Sequence, residues 1–335
     1  MSAADARGAA RRGALQDWFD RWKHQAGSPI WAVFVGLFII AWIAVSAHGQ
    51  SFLSVDNIRN MLVRSVALGV VAVGQSLVIL AGSIDLSVAY LISVSAVLAT
   101  HQMHGQPGNV APAVFLVLLI GVAAGLANGL LVTRVKVNAF MATLGTGLVM
   151  RGFLEDSFNN VAGSVPRGFQ RLGYNSIGPI PYAVLLFAVI AAGAWYLVRR
   201  TRFGYHLMAV GGDEETSRVS GVRSGRVIVL AHVLCSVVAV IAGLFLASRV
   251  GSAAPWLGPN GRYDLDSVAA VVLGGTAIMG GRGSVLGTVG GVLVLAVVDN
   301  TLNQFGVNSF VQDIVRGAIL VAAVAVYSFR NRRTV

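Results

Sequence analysis

The sequence predicts an all-α, polytopic membrane helix bundle of about ten transmembrane helices, one of them broken. Three observations carry that reading. Of the 335 residues 56% are hydrophobic and only 12% charged, with a mean hydropathy of +0.73, where a soluble domain is about a quarter charged. The apolar residues fall into runs that match the roughly 20 residues a helix needs to cross a hydrocarbon core. The basic residues collect in alternate breaks between those runs.

Taken in order, the runs predict helices over Ile30 to Ala47, Leu62 to Ala81, Leu86 to Thr100, Ala111 to Val132 and Asn138 to Glu155. Five more follow over Pro181 to Val198, Val227 to Ser248, Asp266 to Met279, Val285 to Thr301 and Phe310 to Phe329. The eighth is short and rich in glycine, which suits a broken or partial span. The first 29 residues are too polar and basic for a signal peptide, and no small-residue cleavage pattern follows the first apolar run, so that run is expected to be a retained span. Residues 1–29 then form an amino-terminal tail, 30–329 the transmembrane domain with a long loop at 199–226, and 330–335 a carboxyl-terminal tail.

Charge orients the bundle. With the amino terminus on the cytoplasmic side, the inner segments hold Arg7, Arg11, Arg12, Arg21, Lys23, Arg134, Lys136, six arginines between Arg199 and Arg226, and Arg282, Arg330, Arg332 and Arg333. The outer loops hold fewer: Arg59, Arg151, Arg167, Arg171, Arg249 and Arg262. This is the asymmetry of the positive-inside rule, and it predicts two cytoplasmic termini. The formal charge of +11 forms no basic face interleaved with aromatics, which argues against nucleic acid as a partner. Cys235 is the one cysteine and lies inside an apolar run, so neither a disulfide framework nor a zinc site is expected.

Polar groups inside spans are costly unless they face the bundle interior or water, which makes Gln75, Asn128, Asn138, Thr143, Thr146 and His232 candidates for lining a substrate path or for hydrogen bonds between helices. Asp299, Asn300, Asn303, Gln304 and Asp313 gather near the outer ends of the last two helices, as an interface anchor or a vestibule, with Asp313 and Arg316 spaced to pair. Two tight inner breaks are expected as structural turns: Gly82, Ser83 and Asp85, with Asp85 capping the third helix, and Gly280, Gly281 and Gly283. Their similar placement hints at an internal repeat.

The 199–226 loop carries its own helix signal over Asp213 to Ser220. Gly211 and Gly212 open it, Asp213, Glu214 and Glu215 suit its positive amino end, Arg218 its carboxyl end, and Gly221 a left-handed stop. Glu214 and Arg218 are spaced i, i+4. Catalytic chemistry finds no such support. No serine sits in a nucleophile elbow, no two-histidine helix motif occurs, and neither Lys23 nor Lys136 follows a glycine as a phosphate-binding loop requires. No catalytic or metal site is expected.

Several of these pieces resemble one family. Thr201-Arg202-Phe203-Gly204, Gly211-Gly212-Asp213-Glu214-Glu215 and Ser220-Gly221-Val222 are similar to the coupling loop of the ribose-type permeases of bacterial ABC sugar importers, within the broader family that includes branched-chain amino-acid permeases. The likeness extends through Ala81-Gly82-Ser83-Ile84-Asp85-Leu86-Ser87-Val88, Asn128-Gly129-Leu130-Leu131-Val132-Thr133 and Ala142-Thr143-Leu144-Gly145-Thr146. It continues in Gly274-Gly275-Thr276 and in Gly280-Gly281-Arg282-Gly283-Ser284-Val285-Leu286-Gly287-Thr288, nearly the whole chain from the second helix onward.

The resemblance implies a non-catalytic membrane subunit of the bacterial inner membrane that forms the path for a monosaccharide or related polyol. It also implies a second permease copy, a periplasmic sugar-binding protein, and a cytoplasmic ATP-binding subunit that uses ATP and magnesium and docks on Gly211, Gly212, Asp213, Glu214, Glu215, Arg218 and Gly221. The alternative is an ion-coupled secondary transporter, which would want acidic residues in mid-span; here they lie mostly at helix ends.

Overall fold

The computed structural model describes residues 28–332 apart from Asn159; residues 1–27 of the expected amino-terminal tail, with its basic residues, and the last three residues lie outside them. All ten expected segments contain a helix. In chain order they are α1 (Ser28–Ala47), α2 (Val55–Leu80), α3 (Val88–Met103), α4 (Val110–Leu130) and α5 (Ala139–Ser157). After a short α6 (Arg167–Tyr174) and a two-residue hairpin, β1 (Ser176–Ile177) with β2 (Ile180–Pro181), comes α7 (Tyr182–Arg200). The long loop holds α8 (Arg202–Gly212) and α9 (Glu214–Val219). The remainder is α10 (Ser224–Val250), α11 (Leu257–Asn260), α12 (Tyr263–Leu273), α13 (Val285–Gln304) and α14 (Ser309–Arg332).

Among the described residues six stretches, Pro29–Ala47, Val55–Leu80, Pro107–Val135, Tyr182–Arg200, Ser224–Val250 and Val285–Gln304, are long and apolar enough to cross a membrane. The chain is a multi-pass, all-α membrane bundle. At the centre α10 packs against α2, α3 and α4, and α2 also meets α12 and α13. Small residues let the backbones close up: a Cβ on Gly125 or Gly129 of α4 would run into the α10 backbone at Val233 or Val229. The outer helices leave apolar side chains such as Ile40, Phe115, Leu119 and Val149 exposed, the reverse of a water-soluble surface.

Two segments break the helical pattern inside the bundle. Residues 82–87 turn back from the end of α2 and climb alongside it, so that Asp85 lies level with Gln75, about one and a half turns above the helix end. Residues 251–262 do the same from the opposite end. Ala253 pairs with Ala162 beside Thr100, and the chain then descends until the Gly258 N–H donates to Ser93 Oγ at 2.9 Å. Ser93 is seven residues down α3 from Thr100, about 10 Å at 1.5 Å per residue. The eighth expected span is therefore an 11-residue half-helix, α12, preceded by a re-entrant loop.

Candidate functional site

The 199–226 loop differs from its expected shape in one detail. Gly211 and Gly212 do not open the second helix; they close α8, whose first turn is capped by Thr201 Oγ1 accepting from Gly204 N. Asp213 is the break and the cap of α9, its Oδ1 accepting from Thr216 N at 2.7 Å, and that N–H holds the carboxyl below the usual carboxylate range. Gly221 takes the left-handed conformation, φ +84°. The expected Glu214 to Arg218 pair does not form. Arg218 bonds Glu215 at 2.7 Å, and Glu214 turns to Lys136 on the α4 to α5 connection at 3.8 Å, because α9 is only six residues long and faces that connection across a groove.

The glycines of the loop meet the two tight turns at one junction. Gly281 N donates to Leu80 O at 3.1 Å. A Cβ on Gly211 would overlap Leu80 O and come within 2.6 Å of Gly281 N, one on Gly281 within 2.6 Å of Gly212 Cα, and one on Gly280 within 2.6 Å of Gly82 N. Gly280 and Gly281 also have φ of +90° and +74°, which side-chain-bearing residues rarely adopt. Gly283 packs on Thr276 in the same turn. Three chain segments far apart in sequence therefore touch backbone to backbone.

Immediately above that junction lies a buried polar cluster. Asp85 does not simply cap α3. Its Oδ1 accepts from Ser87 N at 2.9 Å and Ser87 Oγ at 2.6 Å, fixing the turn, while its other contacts run across the core. His232 on α10 places Nδ1 3.3 Å from Asp85 Oδ2 and Nε2 2.9 Å from Ser83 Oγ. Asn128 on α4 donates to Ser87 Oγ at 2.9 Å and approaches both Asp85 oxygens at 3.4 Å. With its amide oriented to satisfy both groups, Gln75 donates to Asp85 O and accepts from Asp85 N at 3.2 Å. Thr143 on α5 accepts from Leu86 N at 3.1 Å. The order Ser83, His232, Asp85 has the connectivity of a hydrolytic triad. Yet Asp85 and His232 are fully buried and Ser83 is 4% exposed, so no substrate can approach the hydroxyl. The chemistry available is structural: a buried carboxylate is tolerable only where donors surround it, and here they clamp α2, α3, α4 and α10 together.

Of the six path candidates, Gln75, Asn128, Thr143 and His232 thus sit sealed in the core with partners. Asn138 is the exposed cap of α5, accepting from Phe140 N, and Thr146 bonds back to Ala142 O within its helix. None of the six lines either of two cavities that flank the re-entrant segment. The first, about 460 Å³, opens between α2, α12, α13 and α14. Its floor is an ion network: Arg316 reaches Asp299 at 2.8 Å, Asp266 at 3.6 Å and Asp313 at 3.8 Å, while Asp313 pairs more closely with Arg262, at 2.8 Å. Asn57 and Asn300 exchange side-chain bonds at 2.8 and 3.2 Å on its wall. The second, about 480 Å³, lies between α3, α5 and the loop that carries Trp256. Asn260 borders both. Sequence reading named the Asp299 cluster but missed Trp256 and Asn260; the only hint was a Pro-Trp-Leu-Gly-Pro-Asn run just before a short span.

A helical bundle with polar cavities beside a broken helix and a glycine-packed junction under an exposed loop is the build of a membrane permease subunit. Residues 57–324 match the family model described as branched-chain amino acid transport system / permease component. The chain is 35% identical to the ribose import permease protein of Escherichia coli (strain K12), covering 84% of this chain and 88% of that one. It is 38% identical to the ribose import permease protein of Bacillus subtilis (strain 168), over 87% and 90%. The galactose/methyl galactoside import permease protein of Escherichia coli (strain K12) is 31% identical over 90% and 94%. No solved structure matches. The chain belongs to this permease family, as a membrane component of the ABC sugar-importer type, and subunits of the family are non-catalytic. Nothing in the comparisons favours the ion-coupled alternative.

Proposed function

We propose that the chain forms the translocation path for a monosaccharide or related polyol in a bacterial inner membrane, crossing it ten times with both termini cytoplasmic. A cytoplasmic ATP-binding subunit, which supplies ATP and magnesium, docks on α8 and α9. A periplasmic sugar-binding protein delivers substrate to the opposite end, and a second permease copy completes the path.

The observation that carries this reading is the junction of Gly211 and Gly212 with Gly82, Gly280 and Gly281. An exposed, charged helix pair is by itself a connector. One whose end is wedged between the turns of α2 to α3 and α12 to α13 moves both when it is pushed, and interiors packed at this density transmit displacement. Motion at α8 and α9 would then reach the half-helix α12 and the cavities beside it.

Glu214→Arg tests the docking role. Glu214 is half-exposed and its pair with Lys136 is long, so reversal costs about 0–1 kcal/mol of folding stability, while a docking surface would lose its charge complementarity. The expected result is loss of sugar uptake and of ATPase copurification at unchanged membrane abundance. Wild-type uptake with the ATPase retained would reject it.

A further inference from the structure

We propose that Trp256 and Tyr90, with the Arg151–Glu155 pair and Asn260, form a contact site for a monosaccharide in transit through the permease, a proposal that rests on the sugar-importer reading above. The argument begins with charge. Arg151 and Glu155 bond at 2.8 Å with side chains 52% and 59% exposed, and Arg151 lies six residues, about 9 Å, inside the end of α5. Charged groups at that depth are costly against lipid and mark water-filled or substrate-lined surfaces. This face of α5 therefore looks onto a path, not onto acyl chains.

Opposite it, the re-entrant loop delivers Trp256, 46% exposed although its segment lies inside the bundle. The loop is held there because Gly258 fits against Ala89 O, where a Cβ would overlap, and because its N–H bonds Ser93 Oγ. Tyr90 packs on Gly147 of α5, 3.1 Å from where a Cβ would stand, and so faces the same space. The resulting cavity, about 480 Å³, falls in the range of about 300–1,000 Å³ usual for small-molecule sites.

Its chemistry selects a class of ligand. Aromatic faces offer apolar surface for the C–H side of a pyranose or furanose ring, and the carboxylate, guanidinium and amide at the rim can each bond a hydroxyl. Arg151 and Glu155 hold one another through Nε and Oε1, which leaves the outer guanidinium N–H groups and the second carboxylate oxygen to bond hydroxyls. A neutral polyol can bridge the pair without breaking it. Asn260, shared by both cavities, keeps that amide within reach of the sugar as it passes between them.

Cys235 is the one cysteine and is buried, so single-cysteine labelling is clean. The test uses full-length Asn260→Cys and Trp256→Cys in lipid nanodiscs, a small sulfonate thiol reagent, and D-ribose, D-galactose or L-leucine as protecting ligand. Uptake by Trp256→Ala and Trp256→Phe is measured beside it. Both cysteines should label, and a sugar at about twice its dissociation constant should slow labelling about threefold, by the factor 1 + [L]/Kd. Leucine should have no effect, and uptake should survive in Trp256→Phe and fail in Trp256→Ala. Protection by leucine alone would overturn the substrate class. Labelling that no ligand slows, no labelling at either position, or full uptake by Trp256→Ala would overturn the site while leaving the importer reading intact.

Discussion

Gly211→Ala is the substitution whose effect the junction predicts most sharply. The new methyl would overlap Leu80 O and stand 2.6 Å from Gly281 N, both backbone atoms that cannot rotate away. One of the three segments must move. Overpacking of this kind costs about 1–3 kcal/mol, and displacing Gly281 N from Leu80 O, now 3.1 Å away, removes a hydrogen bond with a net value of about 0.5–1.5 kcal/mol. Together the penalty is about 1.5–4.5 kcal/mol, a factor of about 10 to 2,000 on any equilibrium that requires the junction closed. The adjacent Gly212→Ala is the control, because a Cβ there meets nothing within 4 Å. The assay is sugar uptake and ATPase copurification in membranes with matched permease levels. Gly211→Ala should lose uptake, Gly212→Ala should match wild type, and equal behaviour of the two would refute the claim that this contact transmits motion.

Asp85→Asn, which keeps the shape and the bonds from the Ser87 N–H and hydroxyl, should express and transport in part. Asp85→Leu leaves His232, Ser87 and Asn128 facing a hydrocarbon side chain, and at about 1–3 kcal/mol for each buried polar group left unsatisfied should lower membrane abundance, read by immunoblot and detergent thermal shift. Normal abundance and uptake in Asp85→Leu would show that the cluster is dispensable. For topology, a reporter fused between residues 199 and 226 should read cytoplasmic and one in the 160–175 loop periplasmic; the reverse pattern would invert the charge-based orientation.

The multi-pass helical build was legible because lipid imposes a simple code: apolar runs of fixed length, polar breaks, and basic residues biased to one side. All ten expected segments contain helices for that reason, and the shortness of the eighth announced its break. The acidic start of the loop helix and the left-handed Gly221 were also local matters, decided by the helix's positive end and by glycine's freedom within a few residues. Placement across the bundle was not. Asp85 looks like a helix cap when only its neighbours are considered, and its bonds to His232, Asn128 and Gln75 exist because α10, α4 and α2 happen to converge there. Gln75 and Thr143, equally polar and equally within spans, could have faced a path or the core; packing turned both inward. Trp256 carried no sequence signal of exposure inside the bundle, since that follows from Gly258 meeting Ala89. The Gly82 and Gly280 turns could be predicted to be tight, but that they close against one another and against Gly211 at the end of α8 is a fact of three-dimensional closure, set by which backbones can approach where no side chain intervenes.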